Sequence, residues 1–567
     1  MFERIFEDKN KKWLYFLIAL IVLTVCILPL GGRPMLTPDE TRYAEIPREM
    51  MLSGNYISPR LNGVRYFEKP AFSYWAFAAS FKLFGMNRFA LRLPCMLAML
   101  GTAWIVFLLM GHFYRDPRSR LIGALIFAAM PYVYVLATIA VTDMFLTLFV
   151  TGASVTFFLA AQDDTGRGRR ILLLLLCGVC CGLAFLTKGF LAIAVPAVTL
   201  VPYLIWDRKW KKIFTLPWIP LVAMLLIAAP WCLAIHRQEP DFWHYFFFVE
   251  HLNRFFGQEK AQHSNHFFYF FPFMAAALAI WLPMIPNLFR AWHDQVKNSP
   301  LVKFCICGVV LPFLMFSCSS GKLPTYILPC LPPAAILIAA GVEKFFVEER
   351  RDKAFHLTLL ILAALLPLTL VLLTINMLTG FPDILFMKED WLQLLLLALG
   401  AAICLTGLFL SWKAADRYAK LFLFQIALFP LLIASNFVFP LRMKEWQTPN
   451  LFLAEVAKEL PMENTILVTY RRPFQDVCWA FRTTEVRMFL KHNEISYGLS
   501  YPEEKHRFIP DFPALQELCR EQAAKNGHVA VITQLSKLDV FEGSMPRPER
   551  IWKSYPGLKT GYAVLLY

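Results

Sequence analysis

Apolar runs of about 18 to 23 residues recur along most of the chain, each long enough to cross a hydrocarbon core of roughly 30 Å as a helix. They predict thirteen spans, at about 13–30, 89–113, 119–137, 142–161, 171–187, 189–206, 213–236, 268–290, 301–317, 325–343, 356–378, 391–412 and 419–440. The first run follows Lys11 and Lys12 as a signal peptide would, but it is too long and lacks a small-residue cleavage site, so it is expected to stay as an anchor. Polar positions between the runs alternate in character. Alternate short loops are basic, among them Arg115, Arg118 and Arg120; Arg167, Arg169 and Arg170; Arg208, Lys209, Lys211 and Lys212. The positive-inside rule places these and the N-terminus in the cytoplasm. An odd number of spans then puts the tail from about Arg442 outside, with the loop that follows the first span.

Composition agrees with this pattern. The chain is 57% hydrophobic and only 17% charged, where soluble domains carry about a quarter charged residues. The expectation is an α-helical polytopic membrane protein with a membrane part at 1–441, outer loops at 31–88 and 237–267, and a small α/β domain at 442–567. In that tail, 465–470, 528–533 and 561–567 read as strands and 451–459 and 513–525 as helices. The net charge of +15 is mostly the basic loops, and no compact basic domain offers a nucleic-acid surface. Cys177, Cys180 and Cys181 read as packing residues inside a span, whereas Cys478 and Cys519 lie in the tail, where an oxidising compartment would permit a disulfide.

The polar residues that need an explanation gather in the outer loops. In Thr37-Pro38-Asp39-Glu40, Thr37 has the form of an N-cap, Pro38 of a first helical residue and Glu40 of a capping-box acid. Asp39, Arg42, Tyr43 and Ile46 would share a helix face, and Pro47 is expected to kink or end the helix, leaving two short helices at the membrane surface. A turn-rich stretch then returns Glu68 and Lys69 toward the membrane. Asp143 stands at the outer end of the fourth span, either as a cap or as a site residue needing a partner. Lys188 marks an outer turn, either snorkelling to the surface or facing a phosphate. The loop 239–266 has the aromatic content of an interfacial helix. It carries Arg254 and Lys260 as anion ligands, and His244, His251, His263, His266 and Glu250 as one option for a divalent metal. Their spacing matches no zinc signature; Glu68 and His251 are the weak metal candidates, and no cofactor is required. A further outer turn presents Lys322 and Tyr326. Cations on one membrane face ask for an anionic lipid, and the carboxylates among them for acid–base work or recognition of an amine or hydroxyl.

These stretches are similar to a known family. PDETRYAEIPREM, the LNGVRYFEKP run, LTKGFLAIAVP, EPDFWHYFFFVEH, GKLPTYILPC and YGLSYPEEKHRF together resemble the bacterial undecaprenyl-phosphate aminoarabinose transferases of lipid A modification over nearly the whole chain. The DE and EKP elements alone resemble only the wider set of polyprenyl-phosphate-sugar transferases that includes protein O-mannosyltransferases. The resemblance implies a GT-C glycosyltransferase fold in the bacterial inner membrane and an active site on the periplasmic face. It also implies an undecaprenyl-phosphate-aminoarabinose donor and a lipid A phosphate acceptor, a reaction that lowers lipid A charge and confers resistance to polymyxin and other cationic peptides. By motif, Asp39 corresponds to the family's essential aspartate. Lys69 and Arg254 look like donor-phosphate ligands, and Tyr326 like a further contact. Arg42, Tyr43, Glu68 and Asp143 are similar to residues lining the same cavity. Where relatives commonly read AKGKLPTY this chain reads SSGKLPTY, Ser320 replacing a lysine, and LDP becomes Thr142-Asp143-Met144.

In the chemistry that follows, Asp39 and Lys69 are the catalytic candidates, and Arg42, Tyr43, Glu68, Asp143, Arg254, Lys322 and Tyr326 the substrate-binding ones. Two rivals stay open. A transferase of the same fold acting on a protein or polysaccharide hydroxyl would use Asp39 as a true base. A lipid-linked sugar flippase would need alternating access and usually internal repeats, which the sequence does not display.

Overall fold

Among the described residues, ten helices of the computed structural model are long and apolar enough to cross a membrane, eleven if the pair Pro117–Ala128 and Pro131–Ala137, bent by 65°, is one span. The structure describes residues 16, 20–21, 23–253, 265–381, 386–470, 472–555 and 560–567. Leu191–Trp206 is a shorter apolar helix at another expected span. Of the first expected span, residues 13–15, 17–19 and 22 lie outside the described residues; its end forms a turn of π-helix at Leu23–Ile27 and a 3-10 turn at Leu28–Gly31. The spans differ in what surrounds them. Thr142–Ala160 has 83% of its apolar window buried by protein, whereas Lys353–Thr379 has 11%, so the first sits inside the bundle and the second is left to lipid.

The loop after the first span folds onto one end of the bundle. Asp39–Ser53 is a single helix that runs through Pro47, not two short ones. Proline there removes only the bond to the Tyr43 carbonyl, and burial of Ala44, Glu45, Ile46, Arg48 and Met50 around its circumference holds the helix in place. Gly54 closes it in the left-handed region at φ 71°. A two-strand hairpin, β1 (Arg60–Leu61) and β2 (Val64–Arg65), then turns the chain back, with Asn62 and Gly63 at positive φ in its tip.

The tail forms a six-stranded sheet from β3 (Thr465–Tyr470), β4 (Arg487–Phe489), β5 (Phe508–Ile509), β6 (His528–Gln534), β7 (Arg550–Lys553) and β8 (Tyr562–Leu566), in the order β5-β4-β3-β6-β8-β7. The first four in that order are parallel, and β8 and β7 are antiparallel. Side chains alternate between two cores. Leu467, Ala530, Ile532 and Val564 join the core that continues into the membrane bundle, while Val468, Val529, Val531 and Leu565 pack with the Phe512–Ala523 helix in a separate one. Cys478 belongs to the first core and Cys519 borders the second. The two thiols therefore lie on opposite faces of the sheet and are free, and the disulfide that the compartment would permit does not form.

Candidate active site

Two acids open the Asp39–Ser53 helix and point to different environments. Glu40 is fully buried and does not act as a capping-box acid toward Thr37. Arg92, from the span Arg88–Phe113, donates to its two oxygens at 2.7 and 2.8 Å. The same guanidinium donates to the carbonyls of Leu30, Arg33 and Pro34, and Glu40 also accepts from the Leu36 and Ala140 amides. Burial alone would raise this carboxyl; the fields of Arg92 and Arg33 outweigh it and hold the pKa at about 2. The result is a saturated network, and it fixes where the helix begins.

Asp39, one residue earlier, stays 54% exposed and meets Arg42 at 3.2 Å. Arg42 in turn pairs with Glu494 of the tail at 3.0 Å and lies 5.7 Å from the centre of the Tyr43 ring. Burial pushes the Glu494 carboxyl up, and nearby Glu68 adds to this while Arg42 opposes it. Tyr43 is buried against Tyr74 and Phe77, with ring centres 6.1 Å apart in both pairs.

The hairpin delivers Glu68 and Lys69 to a cleft lined by Lys188, Glu250, Ser319 and Tyr326, with Leu191, Met315 and Phe316 forming an apolar wall. Lys69 donates to Glu250 at 2.5 Å and to the Glu68 carbonyl at 2.8 Å. Lys188 does not snorkel: it is buried, pairs with Asp143 at 2.5 Å and sits 4.3 Å from the centre of the Tyr326 ring. Asp143 thus has the partner its burial demands. Glu68 is buried too, yet among the described residues no cation pairs with its carboxylate. Among the described residues the cleft thus brings together the Lys69–Glu250 and Lys188–Asp143 pairs and the Glu68 carboxylate, for which these residues supply no cation.

Lys322 is placed elsewhere. It donates to the carbonyls of Ser319 and Asn265, holding the turn together, and does not line the cleft. Its pKa falls below the ordinary lysine value through desolvation. Arg254, Lys260, His263 and the side chain of His251 lie outside the described residues. Among the described residues no three His, Cys, Asp or Glu side chains gather as metal ligands. Sequence reasoning missed Glu494, which carries no local signal, and Arg92, whose signal was plain: an arginine within an apolar run needs a buried partner.

A bundle of spans with an ion-paired cleft beneath a docked α/β domain defines the class, a multi-pass membrane glycosyltransferase of the GT-C fold. The fold is shared with the crystal structure of ArnT from Cupriavidus metallidurans bound to undecaprenyl phosphate, at a TM-score of 0.81 and 21% identity over 98% of each chain. Residues 11–246 match the dolichyl-phosphate-mannose-protein mannosyltransferase family model, and residues 444–556 match that of the C-terminal domain of arabinosyl transferase ArnT. The undecaprenyl phosphate-alpha-4-amino-4-deoxy-L-arabinose arabinosyl transferase of Serratia proteamaculans is 34% identical, covering 94% of this chain and 96% of its own length. That of Shewanella sediminis is 33% identical, covering 96% and 97%. The chain belongs to this arabinosyl transferase family.

Proposed function

We propose that the protein transfers 4-amino-4-deoxy-L-arabinose from undecaprenyl phosphate to a phosphate of lipid A at the periplasmic face of the bacterial inner membrane. The lower charge on lipid A would protect the cell from polymyxin and other cationic peptides. The observation that carries this reading is the cleft itself, in which Lys69, Glu68, Lys188 and Tyr326 converge beside an apolar wall. A phosphate bearing a long hydrocarbon chain matches such a lining: the cations receive the phosphate and the apolar wall receives the first isoprenoid carbons.

In the proposed reaction an acceptor phosphate oxygen forms a bond to the anomeric carbon. The bond from that carbon to the donor phosphate oxygen breaks, and undecaprenyl phosphate leaves with the electron pair. A phosphomonoester has a second pKa of about 6 and is largely ionised near neutrality, so no strong base is needed and no cofactor enters. Lys69, now held by Glu250, turns to the leaving phosphate and stabilises the charge that develops there. Arg254 has the same role in this reading. Asp39, exposed beside Arg42, orients the acceptor or takes its remaining proton. Glu68 receives the sugar ammonium; Asp143 is the weaker choice because Lys188 already neutralises it. The test is mass spectrometry of lipid A from cells with and without the protein. The reading expects a species heavier by one aminopentose only when the protein is present, and identical lipid A in both would overturn it.

A further inference from the structure

Asp476 is a fully buried carboxylate that the proposed chemistry does not use. It stands in the first turn of the helix Phe474–Phe481, just beyond the carboxyl end of β3. The sheet order reverses at that strand, because the chain runs from β3 out to β4 and β5 and returns to β6 on the other side. In open α/β sheets the crevice at such a reversal is where a ligand is held. Here the neighbouring groups come from the chain's own loop. The Thr37 hydroxyl donates to both Asp476 oxygens at 2.6 Å, and the Thr41 hydroxyl lies 3.4 Å from Oδ2. Asn450 donates one hydrogen bond to Asp476 and one to the Met35 carbonyl, both at 3.0 Å. The Thr37 amide donates to the Gln447 carbonyl at 2.8 Å.

Thr37 and Thr41 bracket Asp39. On the opposite side, Arg92 grips Glu40 and the carbonyls of residues 30, 33 and 34. The turn bearing Asp39 is thus clamped between a membrane-side arginine and a tail-side carboxylate. We infer that Asp476 is a positioning residue for Asp39: the C-terminal domain uses its sheet-reversal crevice to hold the first turn of the Asp39–Ser53 helix in register with the cleft. The inference rests on the reading of Asp39 as the group that orients or deprotonates the acceptor. Asp476 touches no substrate in this scheme and acts only through Thr37 and Thr41.

The test uses the full chain purified in detergent, with transfer from a polyprenyl-phosphate aminopentose to lipid A measured at varied donor concentration. Asp476→Ala and Thr37→Val are each expected to lower kcat about 10- to 100-fold, the scale of a displacement of roughly 1 Å, with the donor KM changed less than about twofold. Asp476→Asn, which keeps an acceptor oxygen for Thr37, recovers most of the rate. Adding Asp476→Ala to Asp39→Asn costs less than about a further twofold, since the two act as one unit. If Asp476→Ala does not yield folded protein, Thr37→Val, which loses one hydroxyl, decides alone. Loss of rate in Asp39→Asn with kcat retained in Thr37→Val and Asp476→Ala overturns the positioning role and leaves the catalytic reading intact. Equal fold losses from Asp476→Ala in the wild-type and Asp39→Asn backgrounds overturn it as well. A near-normal rate for Asp39→Asn instead overturns the reading beneath it.

Discussion

Glu40 and Lys69 both sit in ion pairs on the same loop, yet one pair is fully buried and closed and the other, half-buried, opens on a cavity. Arg92 surrounds Glu40 with two charged hydrogen bonds and spends its remaining donors on three carbonyls, so nothing is left for a ligand. Lys69 is held by one carboxylate oxygen and one carbonyl at the wall of the cleft. A closed network fixes a backbone, while an open one keeps charges that a substrate can exchange for its own. The same contrast separates Asp143, neutralised by Lys188, from Glu68, which has no cationic partner among the described residues.

Breaking the closed network has the largest expected effect. Arg92→Ala leaves buried Glu40 with only Arg33, 3.7 Å away, in place of its doubly hydrogen-bonded cation, which costs about 3–5 kcal/mol, so the variant should fail to yield a monodisperse peak in size-exclusion chromatography of the solubilised protein. Breaking the open one should spare the fold and remove the chemistry. Lys69→Ala is expected to elute like the wild type but to lose about 100- to 1000-fold in transfer rate, the scale of deleting one group that stabilises developing charge. A sharper contrast comes within the cleft: Glu68→Gln should reduce discrimination between aminoarabinose and neutral arabinose donors by about tenfold or more, the worth of a charged hydrogen bond. Asp143→Asn should change that discrimination much less, and competition between the two donors measures both.

The smallest effect concerns pH and the clamp. Asp476 faces Thr37, Thr41, Asn450 and the Tyr562 phenol, and burial raises its pKa from 3.8 to about 7. Between these values Asp476 binds more protons in the folded protein than in the unfolded chain, so its own contribution to stability is fully present below about pH 4 and is lost as pH rises through about 7. Asp476→Asn removes this loss. Thermal unfolding of the variant at pH 8 should therefore occur at or above the wild-type temperature, and the two should converge toward pH 4.

Much of the architecture was legible because apolar runs of spanning length and period-two strands leave a direct mark on sequence. The spans from 89 onward, β3, β6, β8 and the two tail helices fall close to where the pattern places them. The short strands β4 and β5, two or three residues each, carry too little pattern to be seen, and β7 is an exposed edge. Site residues divided along a similar line. Glu68, Lys69, Asp143 and Tyr326 stand out as candidates because they sit in or beside polar interruptions between apolar runs. The partner of Arg42 came from position 494, and that of Thr37 from position 476. Such pairings depend on how the tail docks, which no local spacing encodes. Lys322 shows the converse, since a cation in an outer turn looks alike whether it faces a cleft or ties off two carbonyls.

The transfer is assigned to the Lys69 cleft together with Asp39, which pairs with Arg42 outside the cleft lining. Its most direct measurement is product formation by the purified protein in detergent from a polyprenyl-phosphate aminoarabinose and lipid A, comparing wild type, Lys69→Ala and Asp39→Asn by mass spectrometry. The account predicts aminopentose-bearing lipid A from the wild type and a severe loss in both variants at equal folded protein. Undiminished product from both variants, or none from the wild type, would contradict it.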